Sequence, residues 1–270
     1  MAAEGEARAD KSGYTLFNPT PRELLRELSA DRPDKTDCPF TIDAGHFQME
    51  MDFANATYNA PSAPRGQVRT LAIEAAPMNI KVGLLNNLDF QLVLTPFRAE
   101  RTEDTASGTV HRITGFEGMT PRFKVNLMGN DGGFLAIGLL PFVRLPLSTG
   151  QLPHGHIEGG LGVPVSFDIP GWEIGLQSTV HINRNEFGVG YHGEFDNALS
   201  VGHALFGRLS MAVEFYGSVS ADRGAGWIGT VDTWLTFQVN ADWRLDAGVY
   251  IGVTSAADDW HPFVGMTRRF

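Results

Sequence analysis

Hydrophobic and polar residues alternate along most of the chain after about residue 42, and a period of two is the signature of β-strands. Between residues 172 and 183, the even positions are Trp, Ile, Leu, Ser, Val and Ile, whereas the odd positions are Glu, Gly, Gln, Thr, His and Asn. Segments of this kind predict about twelve strands. Their predicted spans are 43–58, 67–82, 87–98, 112–128, 133–146, 154–168, 171–183, 190–205, 208–220, 226–239, 242–254 and 260–270.

The connections between these segments fall into two classes that alternate along the chain. Tight connections are expected at 84–87, 129–132, 169–171, 206–208 and 240–242, and longer polar ones at 59–66, 99–110, 147–153, 184–188, 221–224 and 255–259. Short turns at one end and longer loops at the other are typical of outer-membrane barrels. The sequence therefore predicts an all-β fold: a single antiparallel up-and-down transmembrane β-barrel over residues 42–270, with both termini periplasmic.

Two further features favour a membrane barrel over a soluble sandwich. Aromatic residues such as Trp172, Trp227 and Trp243 lie near predicted strand ends, as in the aromatic girdles of such barrels. Ionisable residues lie in the middle of the polar strand faces, where a wide, wet lumen tolerates them. The last alternating segment runs to Phe270, and we expect it to pair with the first strand, around Phe47 to Phe53, and close the ring.

Residues 1–41 differ from the rest of the chain, since they are charged and rich in proline. The spacing of leucines over 21–28 predicts a short amphipathic helix, with Thr20 and Glu23 as its start signal. We expect this N-terminal segment to lie at the periplasmic mouth or inside the lumen. The first residues lack the pattern of a signal peptide. For a barrel, the sequence is then expected to be a mature form with an added Met1.

Composition narrows the function classes. The 270 residues carry a net charge of -10, with 43% hydrophobic and 19% charged residues and no apolar run near the ~18 residues of a membrane helix. No Lys/Arg cluster points to nucleic acid. The single cysteine, Cys38, is interpreted as a filler residue, and His154-Gly155-His156 is a weak metal signal in what we expect to be a solvated turn. Neither a cofactor nor a metal is predicted.

Charged residues on the polar strand faces are the candidates for lining the lumen. Rings of charge can select solutes by sign, but cross-strand salt bridges that neutralise one another are the alternative we favour for most of them. About twelve strands enclose a narrower lumen than the 16–18 of porins. The candidates are Glu50, Asp52, Lys124, Arg144, Glu158, Glu173, His181, Glu194, Glu214, Asp232, Arg244 and Asp246.

One stretch carries a resemblance to a known family. Residues 28–48 read LSADRPDKTDCPFTIDAGHFQ, which resembles the opening motif of a family of bacterial outer-membrane transporters named for the MetA pathway of phenol degradation. The stretches VGL at 82–84, NLDFQL at 87–92 and NALSVG at 197–202 are also similar to that family. The resemblance implies a β-barrel in the outer membrane, and it says little about chemistry.

The motif contains a dense group of alternating charges, Asp31, Arg32, Asp34 and Lys35. In a wet lumen these side chains could pair with charges on the strand walls and form a plug or gate. The alternative is a rigid periplasmic lead-in held by Pro33 and Pro39. The sequence does not decide between the two.

The functional hypothesis is a channel or transporter for passive or gated passage of small solutes, hydrophobic or aromatic if the family name is a guide. A non-conducting scaffold barrel is the first alternative. A lipid hydrolase using Ser178 with His181 or His192 is the second, and we expect no enzyme because no nucleophile motif accompanies Ser178. The expected partners are outer-membrane lipid and lipopolysaccharide, a small solute, the barrel-assembly machinery, and a periplasmic or outer-membrane protein.

Overall fold

The computed structural model describes residues 10–63, 65–152, 155–185 and 189–270. Within these ranges the chain forms one short 3-10 helix and fifteen strand segments. The segments are β1 (Phe47–Asn59), β2 (Val68–Ala75), β3 (Met78–Leu85), β4 (Leu88–Thr95), β5 (Phe97–Asp104), β6 (Val110–Gly115), β7 (Gly118–Met128), β8 (Leu135–Arg144), β9 (Glu158–Ile169), β10 (Trp172–Arg184), β11 (Tyr191–Phe206), β12 (Leu209–Ser220), β13 (Ile228–Asn240), β14 (Trp243–Gly252) and β15 (Trp260–Arg269).

The sheet closes on itself. Every pairing between segments is antiparallel, and β15 pairs with β1 in a register that places Met49 opposite Arg268 and Met51 opposite Met266. Closure satisfies the backbone donors and acceptors that a free sheet edge would leave open. The predicted pairing of the last strand with the first is confirmed.

Three long strands are each broken once, so the fifteen segments form twelve barrel strands. The breaks lie between β2 and β3 at Ala76 and Pro77, between β4 and β5 at Pro96, and between β6 and β7 at Phe116 and Glu117. The two halves of β1 pair with β3 and β2 in turn, and the outer halves β2, β5 and β6 pair among themselves. Proline cannot donate to the ladder, which accounts for two of the breaks. The prediction of about twelve strands is confirmed.

Two local predictions were wrong. Residues 99–104 belong to β5 and pair with β2, so the predicted loop at 99–110 shrinks to 105–109. These strand residues are mostly charged, so no hydrophobic face indicates their structure. The predicted helix at 21–28 is only a single 3-10 turn, Arg22–Leu24, with no side-chain cap. The Arg26 N–H donates instead to the Asp43 carboxylate at 2.9 Å, so tertiary hydrogen bonds replace helical ones.

Burial is inverted relative to a soluble protein. Among the largest fully buried side chains are Lys81, Lys124 and Glu214, whereas large apolar side chains on the same strands are exposed. On β13, Asp232 is fully buried on the inner face, whereas Val231 and Leu235 are exposed on the outer face. An apolar exterior around a polar interior is the pattern of an outer-membrane barrel, because hydrocarbon surrounds the outer face. In the described part of the chain, no helix is long and apolar enough to cross a membrane.

Candidate functional site

The stretch from Asp31 to Pro39, here called the lumen segment, lies inside the ring of strands. Its residues make polar contacts with β1, β3, β7, β10, β12, β13 and β14. These strands lie on all sides of the barrel. A chain of nine residues can reach them together only from the interior. The lumen segment therefore crosses the interior at the level of the buried charges.

Asp31 forms the first of three charge clusters. Its carboxylate pairs with Lys81 on β3 at 2.6 Å, with Arg122 on β7 at 3.2 Å, and with Lys124 on β7. Its backbone N–H donates to Glu50 on β1, which also pairs with Lys81. Lys81, Lys124 and Asp31 are all almost completely buried, and buried charges persist only when paired.

Arg32 forms the second cluster on the other side of the segment. Its guanidinium pairs with Asp52 on β1 at 2.7 Å and with Asp246 on β14, whose carboxylate is fully buried. Arg244 on β14 donates to the Arg32 carbonyl at 2.9 Å. Two carboxylates, one on β1 and one on β14, thus hold one guanidinium, whose forked donors suit this geometry.

Lys35 forms the third cluster. Its ammonium lies 2.7 Å from both Asp232 and Thr230 on β13. The ammonium also lies 4.7 Å from the ring centre of Tyr216 and 4.2 Å from that of Tyr250. The backbone N–H groups of Lys35 and Thr36 donate to Glu214 at 2.9 and 2.8 Å.

The end of the lumen segment contacts the opposite wall. Asp37 pairs with Arg122 at 3.2 Å, and its N–H donates to Gln177 on β10. The Pro39 carbonyl accepts from Asn126 on β7 at 2.9 Å. Cys38 donates to Asp31. These contacts anchor the segment at both of its ends.

A second set of contacts joins the N-terminal region to the short turns of the barrel, and we call it the turn-end network. Asp131, in the turn between β7 and β8, accepts from Arg26 at 3.0 Å and Asn86 at 2.9 Å and pairs with Lys11 at 2.9 Å. Lys11 and Arg26 also pair with Asp43. Although burial alone would raise it, the hydrogen bonds and positive charges lower the pKa of Asp131 below its ordinary value of 3.8.

The predicted site residues separate into two groups. Glu50, Asp52, Lys124, Glu214, Asp232, Arg244 and Asp246 contact the lumen segment through the bonds described above. The others lie elsewhere on the wall: Arg144 pairs with Glu158, His181 bonds to Asp196, Glu194 accepts from Ser218, and Glu173 is exposed near the turn before β10. Of the four plug candidates, Asp31, Arg32 and Lys35 make the three clusters, and Asp34 lies half-buried beside them.

The geometry contradicts the pairing of Ser178 with His181 or His192 on which the hydrolase hypothesis depends. The Ser178 hydroxyl faces outward and donates to Asn197 at 2.7 Å, whereas His181 bonds to Asp196 on the inner face. Adjacent strand positions point to opposite faces, so positions 178 and 181 cannot share one. His192 is paired in register with Asn183, on the His181 face. His154 lies outside the described residues, and no group of three metal-binding side chains occurs among those described.

Sequence reasoning missed some residues that hold the lumen segment. Lys81 shares a strand face with Asn79, opposite the exposed Ile80, and the alternation of β3 could have identified it. Tyr216 and Tyr250 alternate with the apolar residues Phe215 and Val249 and so belong to the polar strand faces, but nothing in the sequence shows that they flank an ammonium. That contact depends on the register of β12 to β14.

Comparison with known structures gives likenesses of fold. The transport unit of the autotransporter AIDA-I from Escherichia coli is 10% identical, with 92% of this chain and 93% of that chain covered and a TM-score of 0.51. The CymD monoaromatic hydrocarbon channel is 7% identical, with coverage of 83% and 88% and a TM-score of 0.47. A refined porin is 6% identical, with coverage of 83% and 99% and a TM-score of 0.39.

No curated protein matches the sequence significantly. A family model does match it, over residues 30–270, which is nearly the whole barrel together with the lumen segment. The match begins at the motif whose charges make the three clusters. This chain therefore belongs to the family described as "Putative MetA-pathway of phenol degradation".

Proposed function

We propose that the protein is an outer-membrane channel for small solutes and that the lumen segment is its gate. In the proposed division of the chain, residues 1–41 form the gating region and residues 42–270 the barrel. The observation that carries the proposal is the position of the lumen segment, whose alternating charges pair with strands all around the interior. Solutes pass when the segment moves, and the closed state is the one described above.

The bonding pattern supports a gate that can reopen. The segment is held by ion pairs and hydrogen bonds between polar groups, and the buried apolar cluster of Ala212, Trp234 and Phe263 is small. Water entering the lumen can replace polar contacts, whereas it cannot replace apolar packing. A segment held in this way can leave the wall without exposing a large apolar surface.

The solute class is proposed from the family description alone, which names phenol degradation. Small hydrophobic or aromatic compounds are therefore the first solutes to test. We also propose that the protein has no enzymatic activity. The outer face is proposed to contact lipid, and lipopolysaccharide at the loop end, because its exposed side chains are apolar.

A scaffold barrel is the second candidate. The same filled interior favours it, because a segment bonded to so many strands also stiffens the barrel. In that case the lumen segment never leaves, and the outer surface or loops carry the function.

Planar-bilayer conductance of the full chain separates the two candidates, because a gate opens intermittently whereas a fixed segment never does. We expect the full chain to show low conductance made of rare openings, and a chain lacking residues 1–41 to show a clear rise. A full chain that never opens, even where the truncated chain conducts, favours the scaffold. A chain lacking only residues 1–9 is the matched control, because it keeps the turn-end network and should behave as the full chain does. If neither the full chain nor the chain lacking residues 1–41 conducts, the channel proposal fails and the scaffold is favoured.

A further inference from the structure

The surroundings of the Lys35 ammonium have the composition of a binding site for a positively charged amine. Tyr216 and Tyr250 present their rings, Asp232 presents a carboxylate, and Thr230 presents a hydroxyl. We call these four residues the ammonium box. Aromatic rings with a nearby carboxylate are the usual means by which proteins recognise organic ammonium ions, because the ring faces are negative and the cation is partly desolvated.

The strands of the barrel wall build the ammonium box without the lumen segment. Glu214 and Tyr216 on β12 lie opposite Asp232 and Thr230 on β13, and Tyr250 on β14 lies opposite Asp232. All four residues therefore form one continuous patch on three neighbouring strands. Only the ammonium comes from elsewhere, and it would leave with the segment.

The box and the neighbouring Glu214 together contain more negative charge than Lys35 neutralises in the described structure. Glu214 and Asp232 are both fully buried and lie directly opposite each other, an arrangement that is unfavourable for like charges. One Asp232 oxygen accepts from both Lys35 and Thr230. The other oxygen, Oδ1, is buried and has no hydrogen-bond partner among the described residues. A second donor from a ligand would satisfy it.

Lys35 remains accessible, in contrast to the other lysines of the interior. Its side chain is 25% exposed, whereas Lys81 and Lys124 are at most 1% exposed. Solvent therefore reaches Lys35 but not its partner Asp232, which is fully buried, so a small molecule contacts Asp232 only when Lys35 moves aside.

We propose that the ammonium box is a binding site for small organic ammonium ions and that Lys35 occupies it as an internal ligand. The inference rests on the proposed gating role, because a solute fills the box only when Lys35 has moved out of it. It narrows the solute class to amines with a short alkyl or aromatic body. A bound amine would also hold the gate open, since it replaces one of the three clusters that retain the lumen segment.

Chemical rescue tests the site directly in the full chain. Lys35→Ala removes the equivalent of an n-propylammonium ion, so that ion fits the vacated space. We expect n-propylammonium to raise the melting temperature of Lys35→Ala in detergent, with an affinity at least about tenfold higher than that of the neutral n-propanol. If Lys35→Ala does not fold alone, the refolded fraction with each additive, read from heat-modifiable gel mobility, is the same test.

Two control variants make the result specific. Lys35→Ala/Asp232→Asn should lose the preference for the cation. Lys124→Ala also vacates a buried lysine position, but its partner Asp31 remains paired with Lys81 and Arg122. This variant should therefore show no preference for n-propylammonium over n-propanol. Equal effects of n-propylammonium and n-propanol on Lys35→Ala, or an equal cation preference in Lys124→Ala, would overturn the proposal. Because the readout is binding and stability, a barrel that never conducts would leave this result unaffected.

Discussion

Replacing Asp31 by asparagine should release the lumen segment, because one carboxylate holds three cations there. The substitution preserves the shape of the side chain and removes its charge. Lys124 is fully buried, and Asp31 is the only carboxylate with which it is paired within 4 Å among the described residues. In Asp31→Asn, Lys81 still pairs with Glu50, and Arg122 still pairs with Asp37.

The magnitude follows from the burial of the pair. Breaking a buried ion pair while leaving one charge in place costs about 3–5 kcal/mol. If that energy holds the segment against the wall, about 3 kcal/mol corresponds to a roughly hundredfold rise in the released population. The matched control is Arg144→Gln, which breaks a pair with Glu158 whose arginine is 58% exposed. Exposed pairs contribute about 0–1 kcal/mol.

Two assays report the release. Single-channel recording should show more frequent open events in Asp31→Asn, and limited proteolysis should cut the 26–41 region sooner than in Arg144→Gln. Adding Lys124→Met to Asp31→Asn removes the stranded charge and should recover part of the lost barrel stability. If Asp31→Asn and Arg144→Gln show the same conductance and proteolysis, the Asp31 cluster does not retain the segment.

Three further predictions concern other parts of the molecule. Because the folded pKa of Asp131 is below its ordinary 3.8, its contribution to holding residues 11–26 is present above about pH 4 and lost as the pH falls through the folded pKa. The amide protection factors of residues 11–26, which correct for the intrinsic pH dependence of exchange, should therefore fall in acid in the wild type, and Asp131→Asn should show low protection already at pH 6. Gly83→Ala places a Cβ 2.1 Å from the Asp43 carbonyl oxygen, so it should lower the free energy of unfolding by about 1–3 kcal/mol, measured by thermal denaturation. Gly13→Ala, whose Cβ would have no atom within 4 Å, is the control and should be close to neutral. Equal melting temperatures for the two variants would contradict the close approach at Gly83. Ser178→Ala should leave any background esterase rate unchanged, and an activity lost with Ser178 would revive the hydrolase hypothesis.

The strand pattern could be predicted from the sequence because a barrel wall separates two solvents. Positions such as Asp232 and Val231 alternate between a wet interior and lipid, and that alternation is visible in the residue order. The extension in β5 could not be predicted, since its residues are charged on both faces and only the backbone pairing with β2 makes it a strand.

The candidate site was predictable only in part, for the same physical reason. The charges of Asp31, Arg32 and Lys35 indicate pairing, but their partners lie up to 214 residues away in sequence. The partners are set by the register of strands, which a single sequence does not reveal. The predicted helix failed because Asp43 takes the Arg26 N–H, a tertiary contact that overrides the leucine spacing.

A disulfide between the lumen segment and the wall tests the gating proposal most directly. An ideal Cβ at Gly175 on β10 lies 3.9 Å from the Thr36 Cβ, within the usual 3.5–4.5 Å of disulfides. The variant is Thr36→Cys/Gly175→Cys in a Cys38→Ala background, and the Ser200 hydroxyl, 2.7 Å from that Cβ, must rotate away. Each single cysteine serves as a control.

The measurement is planar-bilayer conductance of this double-cysteine barrel before and after reduction. The proposal predicts a barrel that never opens when oxidised and that regains the rare openings of the full chain on reduction, with no response to the reductant in either single-cysteine control. An oxidised barrel that conducts as well as the reduced one would contradict the claim that the lumen segment is the gate.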